Sequence, residues 1–396
     1  MKTLEVIFWT ALFIVFYSYL GYGILLYIII KLRRILGIAK PFSGNDDYEP
    51  EVTLFVAAYN EKDYVDEKVK NSFSLAYPKD KVHHVWVTDG SDDGTPDILR
   101  NYEGLDVYHE DARGGKIGAM NRGMKFVKTP IVIFSDGNTT LGENSIQEIV
   151  NLFKDPKVGC VSGEKRIINK DADAAAGAGE GIYWKYESTL KKWDAELYSV
   201  VGAAGELFAI RTELWQEVEK DTLLDDFIIS LRVAMSGHTI QYNPEAYAIE
   251  TASANVKEEL KRKIRISAGG IQSVVRLRSL LNVFKYGTLS FQYISHRVLR
   301  WTLTPLLLLC IIPINFLLAY NSGMNIQNIY TLLFYGQILF YAAALLGWFL
   351  ENRKIKIKIL FIPYYFFIMN LSVYLGFRRY LKGSQSVNWA RAKRGV

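Results

Sequence analysis

The chain predicts an α/β domain with a mostly parallel sheet, set between α-helical transmembrane segments. Three observations carry that expectation. Short β-branched and aromatic runs alternate with charged helical stretches through the middle of the chain. One of them, Ile131-Val132-Ile133-Phe134, stops at Ser135-Asp136-Gly137-Asn138, the pattern of a buried strand delivering polar groups to the C-terminal edge of an open sheet, where ligands bind. The apolar residues, half of the 396, pile up at the two ends. Val6 to Ile30, Trp301 to Tyr320, Tyr330 to Leu350 and Ile359 to Phe377 carry no charge, and each is close to the roughly 20 residues that cross a bilayer as helix.

The first run is too long for a signal-peptide core of roughly 7 to 15 residues, and no small-residue cleavage site follows it, so it is expected to stay as an anchor over residues 1–34. Lys31, Arg33 and Arg34 directly after it place the next domain in the cytoplasm, under an inner plasma membrane. Residues 301–377 form the C-terminal membrane segments. Four crossings would put the basic tail of residues 378–396 (Arg378, Arg379, Lys382, Arg391, Lys393, Arg394) outside, against the same rule. The weakest span is Ile359 to Phe377, with Pro363, Asn370 and Ser372, so whether it crosses stays open. These basic clusters face anionic lipid and account for the net charge of +6, which makes no case for nucleic acid. Cys160 and Cys310 lack metal-ligand spacing and are expected free.

Residues 35–50, polar and turn-rich around Ser43-Gly44-Asn45-Asp46-Asp47, form a linker into a domain over 51–255. Its strands are expected at Thr53–Ala58, Val82–Thr88, Leu105–His109, Ile131–Phe134 and Val158–Ser162. Each strand end carries chemistry. Ala58-Tyr59-Asn60-Glu61 closes the first and Asp89 the second, an aromatic beside amides and carboxylates that suits a flat base and a ribose. Asp92 and Asp93 are assigned to capping or turn duty. Arg113-Gly114-Gly115-Lys116 offers backbone N–H groups and a lysine at a helix start, where a diphosphate is favoured. Asp136 and Asn138, two apart, can share a hard cation, Mg²⁺ or Mn²⁺, although Asp-Gly-Asn also turns well with no ligand.

The segments VAAYNE, TDGSDDGT, RGGKIGAMN and SDGNT, in this order and spacing, resemble the family 2 glycosyltransferases of GT-A fold. Within them the chain is similar to the membrane-embedded group of cellulose, chitin, hyaluronan and poly-N-acetylglucosamine synthases, over roughly Glu51 to Ala268. The resemblance implies that Asp89 contacts the nucleoside and Lys116 the diphosphate, and that Asp136 with Asn138 forms the metal-binding pair. Asn138 stands where the family has a second Asp, and Thr88 replaces the first Asp of its DDGS.

Gly202 to Arg211 matches the family's acceptor-side strand, with Gly202 and Gly205 leaving room for a sugar near the backbone. Leu224-Asp225-Asp226-Phe227 stands where the family carries its general base, which aligns with Asp226, with Asp225 on the acceptor side. Two acids at a helix start are also favoured by the helix dipole alone. Arg262-Lys263-Ile264-Arg265-Ile266 replaces the QxxRW of processive members. Arg262 and Arg265 share a helix face suited to a diphosphate, while basic and apolar residues over 256–300 equally describe interfacial helices on membrane lipid. Losing the Trp puts processive elongation in question, with Trp184 or Trp193 as substitute platforms.

The expected activity is inverting transfer from a nucleotide sugar, with UDP the expected carrier, to a growing cell-surface or exported polysaccharide. Asp226 serves the acceptor hydroxyl, while metal, Lys116 and Arg265 serve the leaving diphosphate. Two alternatives stay open: single transfer to a lipid-linked acceptor, and a nucleotide-binding membrane sensor without turnover.

Overall fold

The computed structural model describes residues 1–38, 48–168, 175–251, 256–353 and 357–383. Of the expected linker, residues 39–47 lie outside the described residues, as do Arg391, Lys393 and Arg394 of the tail.

The central domain holds an eight-stranded sheet of β1 (Val52–Ala58), β2 (Val82–Asp89), β3 (Leu105–Glu110), β4 (Ile131–Asp136), β5 (Thr140–Leu141), β6 (Val158–Ile168), β7 (Leu207–Arg211) and β8 (Thr239–Thr251). Their order across the sheet is β3-β2-β1-β4-β7-β6-β8-β5. β1, β2 and β4 are buried on both side-chain rows over most of their length and are mainly apolar there, because helices cover both faces. An aromatic row locks the centre: Phe55, Phe134 and Phe208 are register neighbours across β1, β4 and β7, with ring centroids 5.3 and 4.8 Å apart.

The pairs β3–β2, β2–β1, β1–β4 and β6–β8 are parallel. β7 runs antiparallel to both β4 and β6, and β5 antiparallel to β8, so the sheet is mixed. That reversal matters for function. A parallel neighbour would bring its own C-terminal end to the edge where Asp136 stands, whereas antiparallel β7 brings the segment that precedes it, Gly202 to Glu206. The chain also winds outward from β1 to β3 and then returns to β4 on the other side of β1, which makes the β1/β4 edge a topological switch point.

Four helices are long and apolar enough to cross a membrane: Lys2–Ile35, Leu303–Asn321, Ile329–Glu351 and Ile359–Leu381. This is a membrane protein, and all four expected apolar runs are helical apart from a break at Thr302, where the second begins. The last helix continues through Pro363, and its Gly376 lies so close to the basic helix Val256–Arg276 that a Cβ there would meet Ser267 at 2.7 Å. The first helix has 34 residues, about 51 Å at the usual rise, well beyond the roughly 30 Å of a hydrocarbon core. Its excess length reaches the domain. There it packs along the helix Ala175–Leu197, with Leu26 against Leu190 and the hydroxyl of Tyr22 donating to Asp194.

That contact opens onto a buried charged cluster. Glu187 and Asp194, both on the helix Ala175–Leu197, face His296, Arg297 and Arg300 from the segment that leads into the second span. The two single turns of π-helix among the described residues, Tyr17–Gly21 and Ile294–Val298, meet beside this cluster, where the hydroxyls of Tyr17 and Ser295 are 2.9 Å apart. Such wide turns shift the helix face to bring a side chain into a particular contact. Here one of them carries His296 and Arg297.

Candidate active site

β1 and β4 end side by side, with Ala57 opposite Asp136. Behind this edge, the loop after β3 enters the helix Gly115–Gly123, whose first turn sits over the ends of β1 and β2. Asp89 fixes that turn. It is 3 % exposed, and its two carboxylate oxygens accept from the backbone N–H groups of Gly114 (3.1 Å) and Gly115 (2.7 Å), with Arg122 at 3.4 Å. Gly115 takes a φ of +77°, in the left-handed region that favours glycine. Asp89 thus positions the loop, and its carboxylate is already committed there.

Tyr59, at the end of β1, has the Arg113 guanidinium stacked 3.7 Å above its ring. Ala57, Ala58, Tyr59, Asp89, Arg113 and Gly115 line a small hollow. Glu61 is turned inward and buried, its methylenes beside Gly137. Of the two acids assigned to capping or turn duty, Asp93 accepts from the backbone N–H groups of Lys62 and Thr95 at two helix starts, and Asp92 holds the turn by accepting from the side-chain amide of Asn60.

Lys116 links the strand edge to the next element. Its Nζ is 2.9 Å from Asp136 and 3.1 Å from Asp225. Burial lowers the basicity of this ammonium, but Asp136 and Asp225 outweigh it and hold the lysine charged above its ordinary value. Asp225 and Asp226 open the helix Asp225–Met235 at the same edge. Asp226 lies beneath the turn before β7: a Cβ on Gly205 would sit 3.0 Å from its Oδ2, so glycine there keeps the carboxylate's approach clear. Gly202, with φ +100°, has Phe227 2.3 Å from where a Cβ would stand, so it serves close packing. Burial, then the neighbouring Asp225, push Asp226 up to about 7, the range in which a general base works at neutral pH.

The two arginines diverge. Arg265 lines the cleft together with Lys116, Asp136, Lys220 and Asp225, and has no ion pair among the described residues. Arg262 is turned to Glu259, at 2.9 and 3.0 Å, and does not line that cleft. Lys220 belongs to a loop that sequence reading missed. It is strapped to the helix Gly115–Gly123 by a two-way bond between Asn121 and Val218, and to the basic helix by Gln272 and Arg276. Asn121 lies within a recognisable motif, but nothing local marks its partner 97 residues away.

Asp136 and Asn138 test whether a metal fits. Among the described residues no group of three or more His, Cys, Asp or Glu is arranged to hold one. One carboxylate and one amide oxygen, with no thiolate or imidazole, form a hard and incomplete set, which suits Mg²⁺ or Mn²⁺ completed by substrate phosphates and water. The Asn138 side-chain amide lies 3.5 Å from Glu250, which is itself paired with Lys165. An Asp at position 138 would face that carboxylate with like charge, a physical reason for the amide.

The family model described as "Glycosyltransferase like family 2" matches residues 50–269. A poly-beta-1,6-N-acetyl-D-glucosamine synthase from Staphylococcus aureus (strain MSSA476) is 26% identical over 246 residues, 60% of this chain and 58% of that protein. The match thus spans little more than half the length of that relative. A Staphylococcus epidermidis protein of the same name is 22% identical over 367 residues, 87% of each chain. Among solved structures, a mannosyltransferase from Pyrobaculum calidifontis, in complex with GDP-Man and Mn2+, superposes with a TM-score of 0.68 at 22% identity, over 96% of this chain and 100% of that one. That likeness extends the shared fold through the membrane helices.

Proposed function

The chain belongs to glycosyltransferase like family 2, and on that premise we propose that it is a membrane-bound inverting glycosyltransferase that moves a sugar from a nucleotide donor, a UDP-sugar, to a growing cell-surface or exported polysaccharide. One observation carries the reading: Asp136, Lys116, Asp225, Asp226 and Gly205 converge on one edge of the sheet, so a cation for the leaving diphosphate and a base for the acceptor stand beside each other.

Transfer needs a proton taken from the acceptor hydroxyl and negative charge stabilised on the departing nucleoside diphosphate. Asp226 is the base, its carboxylate facing the space that Gly205 leaves open. Lys116 and Arg265, which line the same cleft, serve the diphosphate. Lys116 bridges Asp136 and Asp225, so donor entry rearranges one of these pairs. Tyr59 and Arg113 offer the base a stacking site at the outer end. A Mg²⁺ or Mn²⁺ ion held by Asp136 and Asn138 would supply further positive charge to the phosphates. Inverting transfer needs no second acid-acting carboxylate, unlike glycoside hydrolysis.

Purified protein incubated with a panel of nucleotide sugars and Mn²⁺ should release nucleotide from one of them, and Asp136→Ala should weaken binding of that donor and abolish release. Specific donor binding without release would instead support the sensor alternative. The domain is assigned to the cytoplasmic face of a multi-pass plasma-membrane protein, where nucleotide sugars are available. Protease added to intact cells should therefore spare residues 51–251, and cleavage there from outside would reverse the orientation.

A further inference from the structure

Lys68 sits on the helix Lys62–Ser74 and is 2 % exposed, yet no carboxylate pairs with it among the described residues. Its Nζ donates to Ser135 Oγ at 2.7 Å, to the Thr139 carbonyl oxygen at 2.8 Å and to Thr139 Oγ1 at 3.3 Å. Ser135 and Thr139 are the two ends of the turn that carries Asp136 and Asn138. Thr139 Oγ1 also donates to the Asp136 carbonyl oxygen at 2.9 Å and lies 3.2 Å from Ser135 Oγ, so the ammonium closes a polar ring beneath the turn. One helical turn further on, Asn71 makes a two-way bond with the backbone of Leu141, at 2.7 and 2.9 Å. The helix therefore grips the segment from Ser135 to Leu141 at both ends.

A buried amine held only by neutral oxygens is expensive to keep charged: burial pushes Lys68 down to about 7 against the pull of Asp136, and a methionine of similar length would fill the same space without that desolvation. What methionine cannot do is hold three oxygens from two ends of a turn at fixed spacing. We propose that Lys68 is a positioning residue for the donor site, setting the separation and aim of Asp136 and Asn138 toward a divalent cation and the diphosphate it accompanies. The proposal rests on the glycosyltransferase reading of that site. Lys68 touches neither reacting group: its hydrogen bonds reach the site through Ser135 and Thr139, and the Asp136 carboxylate acts on its charge from beyond contact distance.

The test uses full-length protein in detergent, with UDP as the probe, titrated calorimetrically with and without Mn²⁺, and Mn²⁺ binding followed separately by electron paramagnetic resonance. Lys68→Met should leave the protein folded, lower Mn²⁺ affinity in the presence of UDP at least tenfold, and change metal-free UDP binding by less than twofold. Lys68→Arg, which keeps donors at a different reach, should recover part of that loss. Mn²⁺ affinity of Lys68→Met within twofold of the unaltered protein would overturn the positioning role while leaving the donor site intact. Should Lys68→Met fail to fold, Lys68→Arg decides: Mn²⁺ affinity equal to that of the unaltered protein overturns the proposal, and a loss sustains it. Failure of the unaltered protein to bind Mn²⁺ with UDP would remove both the donor-site reading and the role built on it.

Discussion

Asp226→Asn is expected to lower sugar transfer by about 10²-fold or more while leaving donor affinity near that of the unaltered protein. The substitution keeps shape and hydrogen bonding and removes only basicity. Asp226 has one oxygen fixed by the backbone N–H of Phe227 at 2.8 Å, and the other faces the gap at Gly205. Asp225→Asn should behave differently, because Asp225 is expected on the acceptor side yet pairs with Lys116 at 3.1 Å. Weakening that pair should alter donor binding and leave a milder loss of turnover. The pH profile separates the two further. Burial and Asp225 raise Asp226 to about 7, and a base acts only when deprotonated, so transfer should rise with pH through about 7. The same shift makes the protonated protein the more stable one, so this group's contribution to thermal stability is full below its unfolded value, about 3.9, and is lost as pH rises to about 7. Released-nucleotide assays across pH, with calorimetric donor binding, read both effects. If Asp225→Asn lost turnover while Asp226→Asn kept it, the base would move one residue upstream.

Much of this site was legible in the sequence because its parts stand at the ends of short apolar runs. Ile131 to Phe134 and Thr53 to Ala58 declare buried strands, and chemistry at strand ends follows from α/β topology. Direction was not legible. Leu207 to Arg211 looks the same whether it runs with β4 or against it, yet only the antiparallel course brings Gly205 to Asp136. β8 was missed because its alternating residues are interrupted at Pro244, a residue that argues against an interior strand. It lies between β6 and the two-residue β5, beside the end of the sheet, where a missing backbone donor is tolerated. Lys68 was hidden among Lys62, Asp63, Asp66, Glu67 and Lys70, a composition that suggests a solvated helix. Its spacing from buried Val65, Val69 and Ser72 places it on the inward face, and helical periodicity taken residue by residue would have found it. Arg262 and Arg265 share that same logic in reverse, since equal spacing concealed that Glu259 claims one and leaves the other to the cleft.

The charged cluster that joins the first membrane helix to the domain had no local signature at all, because its acidic and basic halves are more than 100 residues apart. Glu187→Gln is expected to destabilise the protein by about 3–5 kcal/mol, the usual scale when one partner of a buried ion pair is removed. Glu187 Oε1 lies 2.6 Å from Arg297 and 3.2 Å from His296, and Oε2 lies 3.3 Å from Arg300. Burial alone would raise this carboxyl, but Arg297, His296 and Arg300 overcome it and hold it well below the usual carboxylate range. A depressed carboxyl contributes stability that is present above its unfolded value, about 4.3, and is lost as pH falls through the folded one, so the contribution is complete at neutral pH. Glutamine keeps the volume but takes the negative charge away from the partly buried guanidiniums of Arg297 and Arg300 and from buried His296. Asp194 does not compensate, since it is engaged by His296 at 2.6 Å, by Gln292 at 3.1 Å and by Tyr22 of the membrane helix. Glu196→Gln on the same helix is the control. Its partner Arg34 is 57% exposed, and pairs of that kind are worth about 0–1 kcal/mol. Apparent melting temperature in detergent and the yield of folded protein should drop sharply for Glu187→Gln and hardly at all for Glu196→Gln. Equal behaviour of the two variants would mean that the cluster does not hold the first membrane helix to the catalytic domain.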